Sequence, residues 1–322
     1  MGGRRRRGSL LPLALILLAP LAAGAVLWTF LSEDRATVTP IASVGAGGGT
    51  AAELEDASLQ PRSPAPLSFE TAGAFDPAMK RLPRAVLVFD VDDGEVLYRH
   101  REQRVLPIAS LTKIMTALVV TQATEPDDVA RIPKDLRYEG SAVGLLPKGR
   151  RVPLEPLLGG LMIVSSNDAA LALADHVSGS EQQFVAAMNE TARLWDLECT
   201  RFATPHGLDE GDRSCAADLA VMTRLAMRSA RIVRLARKAS AAFRFPIEGG
   251  RLYLSGHNPL IRAGYRGALG LKTGYTEAAG RCFVGVARRA GRTVGVVLLD
   301  SFDPGRQAVR LLDLAFERHV PN

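Results

Sequence analysis

"PIASLTKIMTALVV", Pro107–Val120, places Ser110 and Lys113 three residues apart at the start of an apolar helix. Leu111, Ile114, Met115, Leu118 and Val119 recur at three- and four-residue spacing, which predicts a helix packed into a core. A lysine in the first turn of such a helix is expensive unless its amine has a chemical use. Working backward, "AVLVFDVDDGEVLYRH", Ala85–His100, reads as a strand, an Asp-Gly turn and a second strand. Working forward, "LEPLLGGLMIVSSNDAALALADHV" reads as helix, loop, helix, and "SEQQFVAAMNETARLW" and "CAADLAVMTRLAMRSARIVRLA" as one amphipathic helix each. After Ala239 the pattern changes to short β-rich runs separated by glycine: "AFRFPI", "RLYLSG", "ALGLKTGY", "RCFVGVARR" and "RTVGVVLLD". "PGRQAVRLLDLAFERH" closes the chain as a helix. Strands therefore flank a central helical block. The expected fold class is α+β: an antiparallel sheet of early and late strands, flanked by helices, with the middle of the chain inserted as a helical lobe. A cleft between sheet and lobe is the expected binding site.

The 322-residue chain is 47% apolar and 23% charged, an ordinary globular composition. Its net charge is +6, of which Arg4–Arg7 supply +4. The near-neutral remainder, without an aromatic-rich basic patch, argues against a nucleic-acid partner. The arginines precede Leu10–Leu31, 22 residues without a charge. Positive residues before an apolar run mark an export signal, and at about 1.5 Å per residue the run is long enough to span a bilayer. Ala23-Gly24-Ala25 resembles a cleavage site, but the apolar run continues through Val26, Leu27, Trp28 and Phe30. Residues 1–31 are therefore expected to be an uncleaved membrane anchor, with a cleaved signal peptide as the alternative. In both cases the rest of the chain is extracytoplasmic. Residues 32–82 read as a flexible tether rich in Pro, Gly and Ser, residues 83–302 as the catalytic domain, and residues 303–322 as a helix packed on it. Cys199, Cys215 and Cys282 lack metal-ligand spacing and are expected as small buried thiols; a Cys199–Cys215 disulfide is the alternative.

Three short motifs carry chemistry. Ser110 and Lys113 form an SxxK pair on one helix face, where the amine can take the hydroxyl proton only when neutral. That requires its pKa to fall from ~10.4 towards 7, through burial or a second cation. Ser165-Ser166-Asn167 is an SxN element 55 residues after Ser110, and Lys272-Thr273-Gly274 is a KTG on an expected strand. The order SxxK, SxN, KTG is a signature of serine acyl transfer.

From about Arg84 to Leu299 the sequence resembles the D-alanyl-D-alanine carboxypeptidases, the low-molecular-mass penicillin-binding proteins of peptidase family S11. "SLTKIMTALV", "LLGGLMIVSSNDAALALAD", "FATPHGLDEGDRS", "GHNPLI" and "GALGLKTGYTEAAGRCFVGVARRAGRTVGVVLL" stand where that family has its recurrent segments. The resemblance implies a β-lactamase/transpeptidase-like fold, acyl transfer on peptidoglycan stem peptides, β-lactams as covalent inhibitors, and neither metal nor organic cofactor. It also implies roles. Ser110 attacks the penultimate D-Ala carbonyl, Lys113 takes its proton, and Ser165 relays a proton to the leaving amine. Asn167 orients the substrate amide, and Lys272 and Thr273 bind the terminal carboxylate. Gly274 lets the peptide lie along the strand, and the N–H groups of Ser110 and Tyr275 form the oxyanion hole. Ser166 receives no role. Tyr275 stands where some relatives have His. Many members carry a further β-rich domain and a C-terminal amphipathic helix; neither is expected in this chain, so membrane attachment is expected at the N-terminus.

Other polar residues receive structural readings: His206 and His257 near the site, Asp168 as a helix cap, Glu190 on a solvated helix face. A class A β-lactamase would need a glutamate in an E-x-x-L-N-like loop, and neither Glu198 nor Glu210 has that context. A wall-binding protein with a decayed site is the non-enzymatic alternative. Carboxypeptidase and endopeptidase activities both remain compatible with the motifs.

Overall fold

A computed structural model describes residues 66–73, 75–143 and 146–317. The expected anchor, residues 1–31, and the first part of the expected tether lie outside these residues. Among the described residues no helix is long and apolar enough to cross a membrane.

In chain order the elements are β1 (Ala85–Asp90), β2 (Val96–His100), β3 (Leu106–Pro107), a 3-10 turn (Ala109–Thr112), α1 (Lys113–Ala123), β4 (Val129–Arg131), β5 (Arg151–Pro153), α2 (Leu154–Ile163), α3 (Asn167–Ser178), α4 (Glu181–Leu194), β6 (Arg213–Ser214), α5 (Ala216–Arg228), α6 (Ala230–Ala236), β7 (Ser240–Arg244), β8 (Arg251–Ser255), α7 (Pro259–Arg262), β9 (Ala268–Thr276), β10 (Gly280–Arg289), β11 (Arg292–Leu299) and α8 (Pro304–Glu317). The main sheet has the order β2-β1-β11-β10-β9 with every pairing antiparallel, so early and late strands share one sheet as expected. All six residues of β1 are buried. Ala85, Leu87 and Phe89 enter the core shared with the helical lobe, while Val86 and Val88 enter the core under α8. A strand covered on both faces needs a continuous apolar run, which "AVLVF" supplies. Leu311 and Leu312 carry α8 onto the second face, against β1, β10 and β11. Helices α1 to α6 form the lobe, and α5 lies against β1 and β11.

Four expectations change. The flexible segment ends earlier than residue 82: Ser68 N–H donates to Gly94 O (3.0 Å), Val96 N–H donates to Ser68 O (2.7 Å), and Phe75 is buried and stacked on Tyr98. Leu67, Phe69 and Phe75 supply apolar area that Pro and Ser in the same stretch had masked in a compositional reading. The run from Cys215 to Ala236 is two helices, because Ser229 leaves the helical region (φ −83°, ψ 108°) and its hydroxyl caps α6 by accepting from Ile232 N–H. β7 and β8 form a separate hairpin against α2 and do not join the main sheet. Their apolar residues alternate with exposed ones, so they have one face to bury where the main strands have two. Finally, Cys199 and Cys215 are disulfide-bonded, with Cα atoms 5.5 Å apart, while Cys282 is a buried free thiol. Asp218 fixes the bridge by accepting from Cys199 N–H (2.8 Å) and Thr200 Oγ1 (2.7 Å).

Candidate active site

Ser110 sits in the 3-10 turn that precedes α1, held at the mouth of the lobe by two contacts and a turn of the backbone. β3 pairs with β6, Ile108 N–H donates to Asp212 O (3.1 Å), and Ala109 takes a left-handed φ of 47° to turn the chain. Lys113 opens α1 and is fully buried. Its Nζ lies 2.9 Å from Ser110 Oγ, 2.7 Å from Asn167 Oδ1 and 2.5 Å from the His206 carbonyl. Burial, then the charge of Lys272, hold its pKa well below the ordinary lysine value, against a smaller opposite pull from Asp212. Two carbonyl-type acceptors therefore face an amine whose charged form is disfavoured, and the geometry suits its neutral form. Its two hydrogens have fixed partners, and its lone pair is left for the serine hydroxyl.

The SxN element is built at the α2–α3 junction. Ser165 takes a left-handed φ of 61°, an uncommon conformation for a side-chain-bearing residue and one that clusters at functional sites. Its hydroxyl accepts from Lys272 Nζ (2.8 Å), which also donates to Thr273 O (3.0 Å). Ser166, given no role by the sequence, is the N-cap of α3: its Oγ accepts from Ala169 N–H (3.2 Å) and from Val143 N–H (3.0 Å), and it bonds closely with Asp168. Asp168 shares that task, accepting from Ala169 N–H (2.8 Å) and Val143 N–H (2.9 Å). Asn167 donates to Glu139 O (2.6 Å), and its backbone N–H donates to Ser141 O (2.7 Å).

Lys272 lies on β9, the edge strand, and burial lowers its pKa to about 7. Gly274 shows why this strand needs a glycine. A Cβ there would stand 3.0 Å from Ile108 O, 3.1 Å from Ser110 N and 3.2 Å from Leu111 N. The missing side chain lets β9 approach the backbone of the serine turn itself, a tighter requirement than the expected clearance for a peptide. A cleft of about 440 Å³ opens here, lined by Ser110, Ser141, Ser165, Thr273, Gly274 and Tyr275, with His257 and Arg281 at its side. Lys113 and Asn167 lie behind it. Tyr275 is exposed.

His206 contributes its carbonyl, not its ring. The ring is pushed down to about 4, chiefly by burial and next by Lys113, so it is neutral near pH 7 and its 3.8 Å approach to Glu181 is no ion pair there. Burial and Lys272 also lower His257. Glu190 pairs with Arg193 on an exposed helix face, as read. The residues that sequence reasoning missed are Ser141, Glu139 and Asp212. Asp212 is completely buried and accepts from Ala203 N–H (2.9 Å), Thr204 N–H (3.0 Å) and Thr204 Oγ1 (2.6 Å), and burial raises its pKa. No motif spacing marks these residues; they reach the site only through loops packed under it.

The family model described as D-alanyl-D-alanine carboxypeptidase, peptidase family S11, matches residues 77–303. The chain belongs to the D-alanyl-D-alanine carboxypeptidase family. Within this family, D-alanyl-D-alanine carboxypeptidase DacF of Bacillus subtilis is 32% identical over 245 residues, a match spanning 73% of this chain and 62% of DacF. A D-alanyl-D-alanine endopeptidase of Pseudomonas aeruginosa is 32% identical over 254 residues, 76% of this chain and 77% of that protein. The crystal structure of a D-alanyl-D-alanine carboxypeptidase from Mycobacterium tuberculosis H37Rv superposes with a TM-score of 0.70 at 32% identity, covering 76% of this chain and 94% of that one. The α+β fold read from the sequence is thus the fold of this S11 carboxypeptidase family.

Proposed function

We propose that this S11-family chain is a serine-type DD-carboxypeptidase that removes the terminal D-Ala from peptidoglycan stem pentapeptides through an acyl-enzyme and is acylated by penicillins. The observation that carries this reading is the placement of Lys113 Nζ between Ser110 Oγ and two carbonyl acceptors in a site where its charge is suppressed. Neutral Lys113 accepts the Ser110 proton as Oγ bonds to the penultimate D-Ala carbonyl carbon. The developing oxyanion is received by the N–H groups of Ser110 and Tyr275, on the turn and strand that Gly274 brings together. Ser165 passes a proton to the departing D-Ala nitrogen, and Lys272 beside it, with Thr273, holds the terminal carboxylate. Asn167 holds the base: its Oδ1 accepts from Lys113, while its Nδ2 donates to Glu139 O. Water then hydrolyses the ester.

Fluorescent penicillin should label the wild type, and Ser110→Ala should abolish the band. Mass analysis of pentapeptide digests should find D-Ala release; a wild type that neither labels nor releases D-Ala would overturn the proposal. The endopeptidase reading is kept because of the Pseudomonas relative. Cleavage of cross-linked dimer muropeptides without release of D-Ala from pentapeptide would select it.

Location follows the sequence alone. Arg4–Arg7 and the uncharged run Leu10–Leu31 support a chain anchored in the cell membrane with its catalytic domain outside the cytoplasm. A cleaved signal is distinguished by sequencing the N-terminus of the mature protein.

A further inference from the structure

The charge of the folded part is unevenly divided along the chain. Residues 84–215 hold 14 Lys and Arg against 20 Asp and Glu, whereas residues 216–292 hold 15 against 3. Segregation of this kind creates a strong local field even when the sum is small.

The fold gathers part of this charge at one end of the sheet. Arg237, which follows α6, Arg266, in the turn before β9, and Arg288, near the end of β10, line one open cleft with Tyr265 and Leu269. Arg228, at the end of α5, lines the adjoining cleft with Arg288, Arg224 and Asp92, so Arg288 belongs to both. Gly267 locks the junction. It has φ 78°, its carbonyl accepts from Arg288 N–H (2.8 Å), and a Cβ there would stand 2.0 Å from Arg288 O. Nearby Arg289 pairs with Asp313, and Arg292 pairs with Asp90 and Glu95. Arg228, Arg237, Arg266 and Arg288 are all exposed, and none is in an ion pair among the described residues.

We propose that this arginine-lined end of the sheet docks on the anionic phospholipid headgroups of the membrane that the N-terminal segment addresses. The inference rests on the export and anchoring reading above. Guanidinium groups match phosphodiester oxygens in paired hydrogen bonds. A domain tethered to a bilayer meets those phosphates at a high effective concentration, and each basic residue near an anionic surface strengthens the attachment. A nucleic acid is the weaker occupant, since Tyr265 is the one aromatic lining these clefts and an exported domain does not meet one. β9 runs from Ala268 at this cleft to Tyr275 at the active cleft, seven residues or about 23 Å of strand. Docking by this end holds the serine site away from the headgroups, towards the wall.

The domain Gln60–Asn322, a compact unit with its own cores, is sedimented with vesicles of phosphatidylcholine alone or with a quarter phosphatidylglycerol, and fluorescent penicillin is added to the same tubes. The domain is expected to pellet with the phosphatidylglycerol vesicles and not with the neutral ones. Arg228→Gln, Arg237→Gln, Arg266→Gln and Arg288→Gln together should weaken partitioning by about fivefold per arginine, with penicillin labelling unchanged. Equal pelleting on both vesicles, full retention by the quadruple variant, or tighter binding to duplex DNA than to vesicles at matched phosphate would overturn the proposal. Labelling is read separately, so such a result leaves the acyl-enzyme reading intact.

Discussion

Lys113 is the residue on which chemistry and stability conflict. In the mechanism proposed above, its burial with a suppressed charge makes the acidic limb of the acylation profile report the ionisation of its amine. Lys272 is the second contributor to that suppression, so Lys272→Met should raise the Lys113 pKa and move the limb to higher pH; an unmoved limb would leave burial as the whole cause. Both lysines also couple folding to pH. Lys272 titrates at about 7 in the folded chain against 10.5 in its ordinary state, so between these values the unfolded chain binds the extra proton. Stability should therefore rise from pH 7 to 9. Above that range Cys282, pushed up to about 12 by burial, acts oppositely, because the folded thiol keeps a proton the unfolded one loses. Lys113→Met should end penicillin acylation while stabilising the domain at pH 7 by about 1–3 kcal/mol, a gain seen as a higher Tm. A destabilised Lys113→Met would mean that the three hydrogen bonds at Nζ outweigh its desolvation.

Two devices act at the level of elements, one at the site and one away from it. The first is the α2–α3 junction, where Ser166 and Asp168 cap α3 and tie residue 143 to it. Ser166→Ala should cost about 1 kcal/mol in urea unfolding and should lower acylation as well, because Ser165 and Asn167 flank the cap. A loss of stability with unchanged acylation would separate the cap from the site. The second is the Cys199–Cys215 bridge, separated by 16 residues just before α5. Reduction should lower stability by about 3 kcal/mol, the scale expected for a loop of this length, with penicillin labelling retained at low temperature.

At the scale of the molecule, the folded part begins before its first long strand. Phe75 packs with Tyr98, Arg310 Nε donates to Pro77 O (3.3 Å), and Gln307 Nε2 donates to Arg81 O (2.6 Å), so this leading segment ties α8 to β2. A chain starting at Arg84 should melt lower than one starting at Gln60, by about 2–4 kcal/mol for the apolar side chains lost. Equal melting temperatures would return residues 66–82 to the flexible segment. The antiparallel sheet of early and late strands and the terminal helix were legible because β1, β10 and β11 carry long apolar runs and α8 carries helical periodicity. The break at Ser229 and the separate β7–β8 hairpin were not, since a cap and a choice of sheet depend on what lies alongside.

By itself the sequence marked the side chains proposed to carry the chemistry, because Ser110, Lys113, Ser165, Asn167 and Lys272 stand in short motifs whose order survives any folding detail. It also determined the fold class, through periods of two and of 3.6 residues. Only the tertiary structure decided how that chemistry is tuned. The carbonyl of His206, the amide of Asn167 and the desolvation of two lysines come from segments 54 to 93 residues away from Lys113 or from packing alone. Charge suppression and disulfide pairing depend on distances through space, and one-dimensional spacing does not contain them.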